Sequence, residues 1–349
     1  MKKRIEELSL LNVLFAMLVI FIHVSSRPLM ALRHESIGYL VVMVCWRLSS
    51  FATQGFIFLS GFKMIYTMAE KPDLKRFYLG KITKVYLPYV LWVVLYYGLF
   101  IVLKFLPEQN HTLAILKHIL LGDLVGHLYF VPVIMQFYIL MPLWVFLCKK
   151  MKPSVAIVLS LLATVAFSLL PSVLKFIKPG LIFGGNDRLF TSYLVYFAMG
   201  AYAGANFEKF GEFVRKRFKA ITAIFVLLAA VDLVMSYTCY RALAKIYLLD
   251  QVHILYSVFA ILFVYGLAGK TKKFAENKLV KNIDGASYYI YLSHCFFIFL
   301  INHLMAYLEI YAEKFTYPIR TVVVYTVSIV LCCGYVKLKN MRKFHKNME

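Results

Sequence analysis

Leu8 through Ser26 reads LSLLNVLFAMLVIFIHVSS, nineteen residues without an Asp, Glu, Lys or Arg, preceded by Lys2, Lys3 and Arg4. A run of that length spans the roughly 30 Å hydrocarbon core of a bilayer as a helix. Asn12 and His23 interrupt it. At about 100° per residue their spacing sets both side chains on one helix face. Ser9, Ala16, Val19 and Ser26 fall close to the same stripe, which is small or polar rather than lipid-like. A histidine on such a stripe is a functional-site candidate. Two readings of His23 stand side by side. It is a general base, its imidazole suited to taking a proton from a hydroxyl, or it makes a helix–helix hydrogen bond or sits as an interfacial histidine.

The rest of the chain agrees with a membrane setting. Of 349 residues, 62% are hydrophobic and 16% charged, well outside soluble composition and typical of an integral membrane protein. The net charge of +22 lies in short basic clusters between apolar runs, the pattern of positive-inside loops rather than of a nucleic-acid binder. The six cysteines show no CxxC spacing, so neither a disulfide framework nor a metal site is expected. Arg27-Pro28 follows the first run where a signal peptide would carry small residues, so the first helix is read as retained.

Apolar runs near 8–27, 38–66, 85–106, 127–148, 154–174, 190–207, 220–238, 247–268, 286–308 and 317–337 predict an all-α, polytopic protein of about ten transmembrane helices. The second run is long, and Gly55 is a candidate kink. Leu113–Leu121 is too short to cross. Assigning the loops alternately puts 26 Lys and Arg on one side, including Lys71, Lys75 and Arg76, and 11 on the other, including Lys245, Lys314 and Arg320. The excess predicts that both termini are cytoplasmic. It also places His23 toward the extracytoplasmic end of its helix and Asn12 nearer the cytoplasm. No boundary, repeat or low-complexity stretch divides the chain, so residues 1–349 are expected to form a single transmembrane domain.

Several polar residues inside the runs are candidates for chemistry. Arg47 does not deprotonate and needs a partner or water. It holds an anionic group or a developing negative charge, or it forms a structural ion pair with Asp232. Lys81 and Lys84 are three apart and on a helix would share a face, suited to a phosphorylated cofactor or to anionic lipid headgroups. In the ninth run Ser287, Tyr291 and His294 lie on one face, with Asn302 two turns further and His294 closer to the cytoplasmic side. His127, Tyr129, Gln136 and Tyr138 punctuate the fourth. GxSxG, HExxH and GxxxxGK[ST] are absent.

Taken in order, four stretches resemble the bacterial membrane acyltransferase-3 family, the O-acyltransferases of surface polysaccharides. They are Arg4–Ser26, Gly55–Phe62 (GFIFLSGF), Phe77–Pro88 (FYLGKITKVYLP) and Ser287–His294 (SYYIYLSH). His127–Pro142 is similar to the family's fourth-helix segment. The chain departs from the family at Asn12, where a basic residue is usual, and at Lys81 and Lys84, where two arginines are usual. The resemblance implies acyl transfer, most simply of acetyl, from cytoplasmic acetyl-CoA or another acyl-CoA such as succinyl-CoA, without a metal. The acceptor would be a hydroxyl of an extracytoplasmic glycan or lipid-linked sugar. It implies catalytic roles for His23, Arg47 and His294, and contacts to the acyl-CoA from Asn12, Arg76, Lys81 and Lys84. A transporter or exporter, or a non-catalytic sensing or scaffold domain, is the alternative.

Overall fold

The computed structural model describes the backbone of residues 5–68, 72–106, 111–178, 185–241, 243–244 and 246–346, with side chains to 342. Lys2, Lys3, Arg4, Lys71 and Lys245, which entered the loop count, lie outside the described residues, as do the Lys343 and Lys346 side chains.

Among the described residues all regular structure is helical. In chain order the α-helices are α1 (Glu6–Val24), α2 (Ser26–Ala31), α3 (Ile37–Ser49), α4 (Ala52–Tyr66), α5 (Leu74–Lys81), α6 (Leu87–Val102), α7 (His111–Leu121) and α8 (Phe130–Ile139). They continue as α9 (Met141–Lys150), α10 (Pro153–Ile177), α11 (Leu194–Ala205), α12 (Phe207–Lys216), α13 (Phe218–Tyr240), α14 (Leu249–Lys270), α15 (Lys278–Tyr307) and α16 (Glu313–Lys346). Among the described residues, eight segments are long and apolar enough to cross a membrane, or nine when the bent pair α8–α9 counts as one. The sixth apolar run falls short: it folds as one 3₁₀ turn leading into the 12-residue α11. The protein is thus an all-α, multi-pass membrane protein. Its lipid-facing character is plainest in α10, where only Ala156, Ser160 and Thr164 are buried, one stripe at four-residue spacing.

The chain divides into two compact units, residues 1–55 with 211–349, and residues 56–210. In the first, α1 is central. Leu8, Leu11, Phe15, Ala16, Val19 and Ile20 are buried. Tyr325 on α16 donates to Met17 O at 2.7 Å, and Ser25 meets the Tyr317 hydroxyl at 3.0 Å. The second apolar run breaks at Ser50–Phe51, between α3 and α4, earlier than the glycine expected to kink it. Gly55 serves a different purpose: a Cβ there would collide with the Phe15 ring. Arg320, counted with the loops, is fully buried inside α16.

In the second unit, small residues let backbones meet. A Cβ on Gly200 or Gly204 of α11 would land on the α4 carbonyls of Phe58 and Phe62, and one on Gly61 would land on Phe197 O. This is the small-xxx-small packing of membrane helices. The fourth run breaks by 61° between α8 and α9. Pro142, in the first turn of α9, has no N–H to continue α8. Gln136 then fixes the chain ahead of α11, donating to Arg188 O at 2.9 Å and accepting from Phe190 N at 3.0 Å.

Candidate functional site

The polar stripe of α1 faces α15. Asn12 Nδ2 lies 2.8 Å from Asp284 Oδ1, 2.6 Å from Ser287 Oγ and 3.3 Å from Asp284 O. Eleven residues on, the His23 ring meets that of His294, centroids 5.1 Å apart and planes tilted by 49°. Asp284 to His294 is ten residues, so both helices climb about 15 Å between the two contacts and run parallel. The sequence placed His294 nearer the cytoplasmic side than His23. The structure sets them level, because α15 begins at Lys278, a full two turns before the apolar run.

His294 is fully buried, and His23 is half-buried. Ile290 O lies 3.2 Å from His294 Nδ1, and the Cys295 thiol lies 3.3 Å from Nε2. A carbonyl only accepts, so Nδ1 carries the proton. Nε2 then offers its lone pair toward the thiol. His23, His294 and Cys295 place their donor atoms within 4.8 Å of one another. Two imidazoles and a thiol form a soft transition-metal donor set. The trio is thus a group that could hold a metal ion.

Beyond His23 the seam ends in charge. Arg320 on α16 donates to Glu313 Oε2 at 3.0 Å, Asn302 Oδ1 at 3.1 Å and Val24 O at 3.5 Å. Arg27 pairs with Glu313 at 2.8 Å. At the opposite end of α1, Glu7 meets Lys272 at 2.7 Å. A cleft of about 580 Å³ also opens between α15 and α16, lined in part by Lys281, Asn282, Cys333, Lys337 and Asn340.

Arg47 stands apart from the histidine seam. Its Nε and Nη2 bind both oxygens of Asp232 at 2.7 Å, and its Nη1 reaches the Tyr240 hydroxyl at 3.4 Å. His253 Nδ1 lies 3.2 Å from Asp232 Oδ2. Of the two readings of Arg47, the ion pair with Asp232 is formed.

The basic loop belongs to the second unit. Arg76 is exposed, and its backbone N–H is capped by the Asp73 carboxylate at 3.0 Å. Lys81 and Lys84 do not share surroundings. Lys81 Nζ sits 3.8 Å from the centre of the Tyr138 ring, whereas Lys84 is exposed. A π-helical turn over Ile82–Tyr86 follows Lys81, and its larger number of residues per turn leaves residues three apart further from a shared face than in an α-helix.

Asp284, Cys295, His253 and Arg320 were not singled out from sequence. A lone Asp or Cys inside a helix carries no spacing signal, but a charge within a membrane run is itself a signal, and that rule marks Arg320.

Buried polar seams between long apolar helices, with paired histidines among them, mark a multi-pass membrane protein. The acyltransferase-domain model matches residues 5–337, so the chain belongs to the acyltransferase-3 family. It is 25% identical over 353 residues to the probable poly-beta-1,6-N-acetyl-D-glucosamine export proteins of Staphylococcus aureus strains MSSA476 and MRSA252. Those matches cover 96% of this chain and 91% of each relative. No solved structure matches it.

Proposed function

We propose that this protein is a membrane O-acyltransferase that moves an acyl group, most simply acetyl, from cytoplasmic acyl-CoA to a hydroxyl of an extracytoplasmic glycan, with both termini cytoplasmic. The observation that carries the reading is the His23–His294 meeting at 5.1 Å on a polar helix seam, within a chain of acyltransferase family. His23, the less buried of the two, takes the acceptor's proton as the hydroxyl attacks the thioester carbonyl. His294, held by Ile290 O, keeps a fixed nitrogen beside the reacting groups. The strongly anionic donor is drawn to exposed basic side chains, which Lys281 and Lys337 offer at the cleft between α15 and α16. From Lys281 to His294 is about 20 Å along α15, a distance suited to the long pantetheine arm. Asn12, tied to Asp284 and Ser287, holds the seam between these ends.

The staphylococcal relatives' name supports a second reading, export of a polymer of N-acetylglucosamine. Thiol release from acetyl-CoA by the purified protein, with glycan acceptors and with His23→Ala alongside, separates the two. Release that needs both acceptor and His23 supports transfer. A protein that binds no acyl-CoA and moves glycan across liposomes supports export.

A further inference from the structure

The break between α3 and α4 is held in place by side chains. Ser49 Oγ donates to Cys45 O at 2.7 Å, Ser50 Oγ to Arg47 O at 2.6 Å, and the Tyr256 hydroxyl to Leu48 O at 2.7 Å. The Tyr256 bond satisfies a carbonyl that the end of α3 leaves over, and Arg47 O also accepts from the Ser50 N–H at 3.2 Å. Phe51 then packs edge-on against Phe15 and Tyr256. Ser50 is thereby fixed, half-buried, just ahead of the first turn of α4, whose N–H groups have no carbonyl of their own helix to bond.

His253 faces this serine. Its Nε2 lies 3.4 Å from Ser50 Oγ and its Nδ1 lies 3.2 Å from Asp232 Oδ2. The Asp232 carboxylate, gripped on both oxygens by Arg47, is an acceptor only. The His253 proton therefore sits on Nδ1, and Nε2 presents its lone pair to Ser50. Arg47 fixes the rotation of the carboxylate, and so the plane in which His253 is held. The His253 side chain is 14% exposed and that of Asp232 only 2%, so the base is reachable and the group orienting it is not. Serine, imidazole and carboxylate thus stand in the order of nucleophile, base and orienter. They come from three parts of the chain, which is why no local motif announces them.

We propose that Ser50 is the nucleophile of a second acyl-accepting centre that shares no residue with the histidine seam. Its substrate is an activated carbonyl, an ester or a thioester; acyl-CoA is its donor only insofar as the function proposed above holds. The Ser50 hydroxyl rotates from Arg47 O to His253 Nε2 and gives up its proton there as the Oγ–C bond forms. The C–S or C–O bond of the donor breaks, and His253 returns the proton to the departing thiolate or alkoxide. First-turn amides of α4 supply donors for the developing oxyanion. An acceptor hydroxyl then attacks the Ser50 ester, its proton passing through His253 back to Ser50 Oγ. Because Arg47 offsets the Asp232 charge, the imidazolium gains less than it would beside a lone carboxylate. The centre is therefore expected to be slow.

The test needs neither acyl-CoA nor glycan. The full-length protein in detergent is incubated with a fluorophosphonate, and the adduct is mapped by peptide mass spectrometry. One adduct at Ser50 is expected, absent in Ser50→Ala and formed at least tenfold more slowly in His253→Gln, with unfolding midpoints of both variants near wild type. No adduct in the wild type, an adduct that survives Ser50→Ala, or wild-type labelling of His253→Gln would overturn the proposal. Since no donor or acceptor of the proposed transfer takes part, the failure of either claim leaves the other standing.

Discussion

Replacing Arg47 with Met removes one half of a buried pair and leaves the other half behind. The side chains of Arg47 and Asp232 are 9% and 2% exposed, and their two contacts are both 2.7 Å. Without the guanidinium, the Asp232 carboxylate keeps only His253 at 3.2 Å. Breaking a buried pair from one side costs about 3–5 kcal/mol, because an uncompensated charge stays inside. In a chain of this size that corresponds to a midpoint roughly 4–7 °C lower. Asp232→Leu alone strands the Arg47 charge and is expected to cost a similar amount. The double variant Arg47→Met/Asp232→Leu removes both charges and loses mainly the His253 contact, so it recovers to within about 1–2 kcal/mol of wild type. Thermal unfolding of the four proteins in one detergent, followed by fluorescence-detected size exclusion, completes the cycle. An Arg47→Met variant within a degree of wild type would refute the reasoning, since the guanidinium would then be solvated and the pair of no consequence. A double variant no better than the singles would refute it too.

Gly200→Ala, which would push a Cβ onto Phe58 O, is expected to lower stability by about 1–3 kcal/mol. Gly98→Ala, with nothing within 4 Å of the new Cβ, is expected to be neutral in the same unfolding assay. Asn12→Asp sets a second carboxylate against Asp284 and should lower the unfolding midpoint, whereas Asn12→Lys should be tolerated as an ion pair with Asp284. Equal midpoints for the two would contradict the seam geometry. Lys81→Ala gives up the ring of Tyr138 and should cost about 0.5–1 kcal/mol of stability. Lys84→Ala should leave stability unchanged and raise KM for acyl-CoA several-fold with kcat little altered. Reporter fusions at both ends should read cytoplasmic, and an extracytoplasmic signal from either would overturn the proposed orientation.

Much of the fold was legible because membrane helices announce themselves. Length without charge marks a span, and eight of the expected ten runs emerge as helices long and apolar enough to cross. The two that do not are instructive. Pro142 splits the fourth into α8 and α9, and the close approach of Gly200 and Gly204 to α4 lets the short α11 be packed wholly among neighbours. The α1 stripe was legible from a single helix, since Asn12 and His23 share a face by geometry alone. What that stripe meets was not. That Asn12 finds Asp284, and His23 finds His294, depends on the register between helices more than 270 residues apart in sequence. Lys81 and Lys84 illustrate the reverse: their spacing suggested one face, but a π turn, which leaves no mark in residue type, separated them. Ser50 and His253 were passed over for a related reason. A nucleophile at a helix break is visible only once the break is known, and the run from Ile37 to Tyr66 reads as continuous.

The central claim is that the His23–His294 seam carries an acyl group from a donor on one side of the membrane to an acceptor on the other. Its most direct test is transfer across proteoliposomes, with radiolabelled acetyl-CoA supplied at the face bearing the termini and glycan acceptor at the opposite face. The wild-type protein is predicted to place label on the acceptor. His23→Ala should place none while keeping the wild-type unfolding midpoint. Acceptor labelled equally by His23→Ala, or acyl-CoA left unbound and unconsumed by the wild type with both acetyl and succinyl donors, would contradict it.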